Sequence, residues 1–180
     1  HPKGTNWADY RRVRASLPPE MRAWLLDEGS LTRRLIEASG GDFRVELAHQ
    51  GWLRPSIDEA RRLELDPHEV AQVRETRLVC RNQAWVYARS IIPASSLEGP
   101  NRRLLRLGNR SLGELLFRDP SMRRDPFEVA RVDPAAGLVP AALQEGKVLW
   151  GRRSRILLHG YPLLVGEIFL PAFQRQLAEG

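Results

Sequence analysis

The fold of this chain is decided by residues 148–170, which read VLWGRRSRILLHGYPLLVGEIFL. Two runs of strand length, Val148 to Leu158 and Leu163 to Leu170, flank the segment His159-Gly160-Tyr161-Pro162. A glycine and a proline within four residues favour a turn between two extended segments. The stretch therefore predicts an antiparallel β-hairpin.

Working outward, the sequence predicts further strands with helices between them. A second hairpin is predicted for Val70 to Cys80 and Trp85 to Ile92, joined by the polar turn Arg81-Asn82-Gln83. Apolar alternation and helical spacing indicate more elements. These are strands at 43–48 and 127–132, and helices at 20–28, 31–39, 101–107 and 112–117. Residues 55–66 fit no pattern, and residues 133–146 are expected to form a loop or lid. The predicted class is α+β, an antiparallel sheet backed by helices.

Composition favours one soluble domain. The chain has 180 residues, of which 42% are hydrophobic and 28% charged, and we expect residues 1–180 to form a single domain. No apolar run approaches the roughly 18 residues that a membrane span requires. Cys80 is the only cysteine and no secretory pattern opens the sequence, so we expect a cytoplasmic protein. We also expect a monomer.

The formal net charge of +6 suggests an anionic partner. Only Lys3 and Lys147 are lysines, so 26 of the 28 basic residues are arginine, whose planar fork suits carboxylate and phosphate. Coding bias and a solvated surface would give the same composition. Since the arginines are scattered and form no basic stripe with stacking aromatics, we do not expect nucleic acid as a partner.

Glu167 breaks the pattern of the strand from Leu163 to Leu170, in which both alternating faces are otherwise apolar. A carboxylate in a covered strand needs a partner, and such departures often mark functional sites. A salt bridge to one of the arginines, or a solvent-facing edge strand, would explain it equally well.

Arg74 is the second residue that departs from its strand pattern. It shares a strand face with Val70, Thr76, Leu78 and Cys80. An arginine on the more apolar face suggests an anion partner, but a side chain that reaches the sheet edge is the alternative.

A third candidate is the helix that begins at Ser111-Leu112-Gly113. The first N–H groups of a helix lack intrahelical partners and can bind a carboxylate, although every capped helix offers as much. The histidines show no metal-ligand spacing, and no phosphate loop or nucleophile elbow is present. Cys80 lies on a strand face and is expected in the core rather than as a nucleophile.

Residues 19–173 resemble the chorismate pyruvate-lyase family. The two strongest matches are Leu149-Trp150-Gly151-Arg152-Arg153-Ser154-Arg155 and the block from Pro162 to Pro171. Supporting matches follow the family's order: Ser30 to Arg34, Val73-Arg74-Glu75, Trp85 to Pro93, Leu107-Gly108 and Leu112-Gly113.

The resemblance implies an antiparallel sheet with helices on one side, helical flaps over an enclosed site, and no metal or organic cofactor. It implies cleavage of chorismate into 4-hydroxybenzoate and pyruvate, the first committed step of ubiquinone biosynthesis. By the same resemblance Arg74 and Glu167 are the catalytic residues, and Leu31, Arg74, Leu112 and Glu167 bind the substrate and the product 4-hydroxybenzoate. The alternative is a non-catalytic effector-binding domain of the same fold. Those domains follow a winged DNA-binding domain, for which the residues before the first predicted helix are too few.

Overall fold

A computed structural model describes residues 4–179 of the chain. Its strands are β1 (Ala8–Asp9), β2 (Phe43–Leu53), β3 (Ala71–Cys80), β4 (Gln83–Pro93), β5 (Arg123–Arg124), β6 (Glu128–Val132), β7 (Leu149–Leu158) and β8 (Tyr161–Phe169). Its α-helices are α1 (Tyr10–Val13), α2 (Pro19–Leu25), α3 (Leu31–Ala38), α4 (Ile57–Arg62), α5 (Leu112–Arg118), α6 (Ala141–Gln144) and α7 (Pro171–Glu179). Short 3-10 helices occupy Arg14–Ser16, Ala94–Ser96, Gly99–Arg106 and Pro134–Ala136.

The strands form one antiparallel sheet in the order β1-β6-β7-β8-β4-β3-β2, with β5 added alongside β7. The predicted hairpin of residues 148–170 is β7–β8, and it lies at the centre of the sheet. The second predicted hairpin is β3–β4, whose turn residues Arg81 and Asn82 both have positive φ, as a tight hairpin turn requires. The α+β prediction is confirmed.

Helices α2, α3, α5 and α7 cover one face of the sheet. Their apolar side chains pack against that face in two clusters, one of which contains the aromatic group Trp24, Trp85, Phe169 and Phe173. The two clusters lie on either side of a region of shorter side chains. This arrangement leaves space between the sheet and the helices.

Helix α4 lies on the opposite face, in the segment whose pattern was ambiguous. Ser56 and Glu59 form a reciprocal capping box that starts the helix, and Leu63 after it packs on Val73 and Leu164. Residues 133–146 contain a 3-10 turn and α6, and their side chains Val139 and Leu143 pack against Val132 and Leu149, where β6 ends and β7 begins. None of the helices in the described part of the chain has the length and apolar character that a bilayer crossing requires.

Candidate active site

An interior cavity of about 60 Å³ lies between the central strands and the helices α3 and α5. Its floor consists of short side chains from β3, β4, β7 and β8, namely Thr76, Ala88, Ser90, Ser154 and Val165. Ligand pockets typically measure roughly 300–1,000 Å³, so this cavity is small for a ligand site.

Arg74 lines one end of this cavity and is only 2% exposed. Its Nη1 donates to the carbonyl of Gly108 and its Nη2 to that of Arg110, each at 2.7 Å. Burial lowers the pKa of the Arg74 guanidinium because desolvation disfavours the charged form. Two of its five N–H groups are used on the loop before α5, and the others remain for a ligand.

The first residues of the two covering helices also line the cavity. Leu112 is the first residue of α5, which Ser111 caps by accepting a hydrogen bond from the N–H of Glu114. The N–H of Leu112 finds no acceptor among residues 4–179. Leu31, the first residue of α3, is buried and contributes packing to the same wall.

Glu167 lines the other part of the cavity, and its side chain is 13% exposed. Its Oε2 lies 3.4 Å from Nη2 of Arg152, which is 1% exposed. A salt bridge to an arginine was the alternative explanation for the carboxylate of Glu167 in an apolar strand. That salt bridge is present, and it lies at the cavity rather than on the surface. The two interpretations do not exclude each other.

Strand register fixes the distance between the two predicted catalytic side chains. Arg74, Ser90 and Val165 form one cross-strand row, and Thr76, Ala88 and Glu167 form the next. Two strand spacings and a step of two residues separate the Cα atoms of Arg74 and Glu167 by about 12 Å. With a side chain reaching inward from each end, the gap suits one six-membered ring with a polar group at each pole.

The covering helices meet through a direct hydrogen bond between hydroxyls. Thr32 Oγ1 of α3 lies 2.9 Å from Ser111 Oγ at the start of α5. A Cβ atom at Gly113 would lie 3.4 Å from Thr32 Oγ1, so the start of α5 lies in close contact with α3. On the outer side, Thr32 and Ser111 also line an open surface groove of about 870 Å³. The hydroxyl pair thus separates the groove from the cavity.

Sequence reasoning missed two arginines that line the cavity, Arg124 and Arg152. Arg152 Nη1 donates to the carbonyl of Trp24 in the last turn of α2 at 3.2 Å and to that of Asp27 just after the helix at 2.9 Å. The motif Arg152-Arg153-Ser154-Arg155 contains three arginines, and only strand parity relative to Glu167 could have shown which one points inward. Arg124 belongs to a two-residue strand that leaves no periodic signal.

The arginines on the opposite face of the sheet are paired with acids. Arg153 contacts Asp58 and Glu128, and Arg89 contacts Glu59 and Glu75. On that face, Arg89 and Arg153 therefore bind acidic side chains of the same chain.

Cys80 is fully buried in the main core cluster, as predicted. Burial raises the pKa of its thiol to about 11, which suppresses the thiolate. Within residues 4–179 no three His, Cys, Asp or Glu side chains come together as a possible metal site.

A sequence profile described as chorismate lyase matches residues 3–178. The chain belongs to the chorismate lyase family. A probable chorismate pyruvate-lyase of Pseudomonas aeruginosa (strain UCBPP-PA14) is 46% identical over 162 residues, covering 90% of this chain and 89% of that protein. A probable chorismate pyruvate-lyase of Methylococcus capsulatus is 46% identical over 157 residues, covering 84% and 95%.

Solved structures with the same fold come from a different functional class. The effector domain of PhnF from Mycobacterium smegmatis has a TM-score of 0.56 at 17% identity, covering 82% of this chain and 91% of that one. The ligand-binding domain of a GntR-family regulator from Bordetella bronchiseptica has a TM-score of 0.51 at 20% identity, covering 73% and 86%. These likenesses show the fold alone.

Proposed function

We propose that this lyase-family chain converts chorismate into 4-hydroxybenzoate and pyruvate. The observation that carries the proposal is the enclosed cavity with Arg74 and the Leu112 N–H at one end and Glu167 in the other part. A para-substituted ring with a carboxylate at one pole and a hydroxyl at the other is complementary to that arrangement.

The ring carboxylate of chorismate binds Arg74 and the N–H of Leu112 in this proposal. Two of the Arg74 N–H groups hold backbone carbonyls, so the guanidinium is fixed before the ligand arrives. Charge-assisted hydrogen bonds of this kind contribute roughly 1.5–3 kcal/mol each. Leu31 packs against the ring from the side of the cavity that α3 covers.

Glu167 receives the C4 hydroxyl at the opposite pole. Arg152 contacts the Glu167 carboxylate through a single long contact of 3.4 Å rather than a short bidentate pair. The carboxylate is therefore held at the cavity and can still accept a hydrogen bond from the ligand. A hydroxyl that donates to this carboxylate places C4 and the neighbouring C3 ether at that end of the site.

The reaction itself is an elimination that needs no other reactant. The bond between C3 and the ether oxygen breaks, the hydrogen on C4 is lost, and one hydrogen is added to the methylene carbon, which becomes the methyl group of pyruvate. The ring gains aromaticity, so the protein has mainly to hold the substrate in a reactive pose. Glu167 has two possible roles. It can transfer the C4 hydrogen as a proton, or it can only orient the ring while the hydrogen passes directly from C4 to the methylene carbon.

The test is incubation of the purified chain with chorismate and chromatographic analysis of the products. We expect 4-hydroxybenzoate and pyruvate in equal amounts, with the rate unchanged by EDTA. Absence of 4-hydroxybenzoate would overturn the proposed reaction. Activity that disappears with EDTA and returns with a divalent ion would overturn the metal-independent form of it.

The second candidate is a binding module without turnover, which the shared fold with regulator effector domains favours. In that case chorismate or 4-hydroxybenzoate would bind and no pyruvate would form.

If the chain is the proposed enzyme, we place it in the cytoplasm at the first committed step of ubiquinone biosynthesis, as a monomer that needs no nucleic-acid partner.

A further inference from the structure

Chorismate carries a second carboxylate, on the enolpyruvyl ether, that the pose described above does not bind. The ether is attached to C3, next to the carbon that bears the hydroxyl. A substrate with its hydroxyl at Glu167 therefore presents the enolpyruvyl carboxylate on the Glu167 side of the cavity. A cation is needed there, and Arg74 belongs to the other end.

Arg124 is a cavity-lining arginine on that side with donors to spare. Its guanidinium lies over the rings of Phe117 and Phe127, at 5.1 and 4.8 Å from their centroids, so its plane is held in place. Nη1 donates to the carbonyl of Glu28 at 3.2 Å. Its Nε is buried, and neither Nε nor Nη2 has an acceptor among the described residues.

The unused edge of Arg124 matches the chemistry of the missing contact. Nε and Nη2 form the side of a guanidinium that binds a carboxylate through two parallel hydrogen bonds. Leaving a buried donor unpaired is costly, and such a donor in a ligand cavity indicates a group that the ligand supplies. Desolvation lowers the pKa of Arg124, and the nearby charge of Glu167 opposes this effect, which also places Arg124 on the Glu167 side of the cavity.

Arg152 is less suited to the same task, although its Nε is also buried and has no partner within residues 4–179. Its Nη1 is bound to the carbonyls of Trp24 and Asp27, and its Nη2 faces Glu167. It is therefore engaged in holding Glu167 and the end of α2.

We propose that the Nε–Nη2 edge of Arg124 binds the enolpyruvyl carboxylate of chorismate and, after cleavage, the carboxylate of pyruvate. This inference rests on the proposed function. It makes Arg124 a residue that distinguishes substrate from 4-hydroxybenzoate, because 4-hydroxybenzoate lacks the group that Arg124 holds. Its loss then affects use of chorismate and leaves the affinity for 4-hydroxybenzoate intact.

The first experiment compares Arg124→Gln with Arg123→Gln. Arg123 is the other residue of β5 and is exposed, and its Nη1 donates to the backbone carbonyls of Pro120 and Met122, so it is a matched control. We expect Arg124→Gln to lower kcat/KM for chorismate by roughly 10- to 100-fold, the loss of a charge-assisted pair. The Kd for 4-hydroxybenzoate should stay within about twofold of wild type, which also reports an intact site. Arg123→Gln should change neither quantity.

The second experiment uses two stable ligands that differ only in the second carboxylate, 3-(carboxymethoxy)-4-hydroxybenzoate and 3-ethoxy-4-hydroxybenzoate. Titration calorimetry should show that wild type prefers the carboxymethoxy ligand by roughly tenfold or more. Arg124→Gln should abolish the preference, and Arg124→Lys should retain part of it.

The outcomes separate this inference from the proposed function. If wild type forms no 4-hydroxybenzoate, the proposed function fails. If wild type is active but does not prefer the carboxymethoxy ligand, the Arg124 site is wrong, whether or not any variant folds. It is also wrong if Arg124→Gln lowers the affinity for 4-hydroxybenzoate and kcat/KM by the same factor, or lowers neither.

Discussion

Arg152 and Glu167 are cross-strand partners on β7 and β8, and Nη2 of the arginine lies 3.4 Å from Oε2 of the carboxylate. The arginine is 1% exposed, and its Nη1 donates to backbone carbonyls in the last turn of α2 and just after it. One buried side chain thus connects the Glu167 carboxylate to the end of α2.

Replacing Arg152 with methionine should lower the free energy of unfolding by roughly 3–5 kcal/mol, because Glu167 is left as an uncompensated, largely buried charge. Adding Glu167→Gln to the same chain should recover part of the loss. Urea denaturation measures both effects. Arg155→Met is the control, since Arg155 pairs with Asp125 on the opposite face and should change stability by about 1 kcal/mol or less. A stability for Arg152→Met close to that of wild type would contradict this account.

Arg74→Ala should reduce kcat/KM by an amount that corresponds to roughly 3–5 kcal/mol, since one partner of an enclosed carboxylate is lost. Arg74→Lys should also be poor, because one ammonium cannot replace a fork that holds the carbonyls of Gly108 and Arg110 as well as the ligand. Steady-state kinetics and circular dichroism are the measurements. Arg77→Ala, from the other face of β3, is the control and should stay near wild type. A well-folded Arg74→Ala with nearly normal kcat/KM would remove Arg74 from the site.

The hairpins could be predicted because β3, β4, β7 and β8 are covered on both faces over much of their length, so each is a strand-length, largely apolar run bounded by turn residues. Strand β2 is longer than predicted. Its second half, from Ala48 to Leu53, lies at the sheet edge, where exposed residues carry no alternation. Helix α4 has six residues, too few to show a helical period.

Of the candidate site, sequence could single out the residues that break an apolar pattern, and Arg74 and Glu167 do so. The cavity itself depends on short side chains such as Ala88 and Ser90 that come together only through strand register. Arg124 approaches the cavity from the irregular segment after α5. No local sequence pattern shows which strands are neighbours or that Arg124 reaches the cavity.

Thr32→Val should speed the release of 4-hydroxybenzoate. Valine keeps the shape of threonine but removes the hydrogen bond to Ser111 that joins α3 to α5 over the cavity. Loss of one neutral hydrogen bond, about 0.5–1.5 kcal/mol, corresponds to an increase in the dissociation rate of roughly 2- to 12-fold. Stopped-flow displacement of the ligand measures this rate. Ser121→Ala is a control hydroxyl at a distant turn. An unchanged rate in Thr32→Val would show that the ligand leaves without separation of α3 from α5 at the Thr32–Ser111 hydrogen bond.

Glu167→Gln separates the two roles open to this side chain. Glutamine keeps an acceptor oxygen for the ring hydroxyl but loses the charge and any ability to transfer a proton. If Glu167 only orients the ring, the loss in kcat should stay near tenfold, about 1.4 kcal/mol, in line with one hydrogen bond. If it transfers a proton, the loss should reach roughly 10²- to 10⁴-fold, and one limb of the pH profile should disappear.

The measurement is kcat and kcat/KM for wild type and Glu167→Gln across pH, with Glu46→Gln on the exposed edge strand as the control. We expect the smaller loss, because the 3.4 Å pair with Arg152 holds the Glu167 side chain in place as an acceptor for the ring hydroxyl, a role that glutamine can share. An active variant with an unshifted pH profile excludes proton transfer through Glu167. A loss above about a hundredfold together with a missing limb would overturn the orienting role. A variant with no kinetic change would remove Glu167 from the site, and the Arg152 pair would then be purely structural.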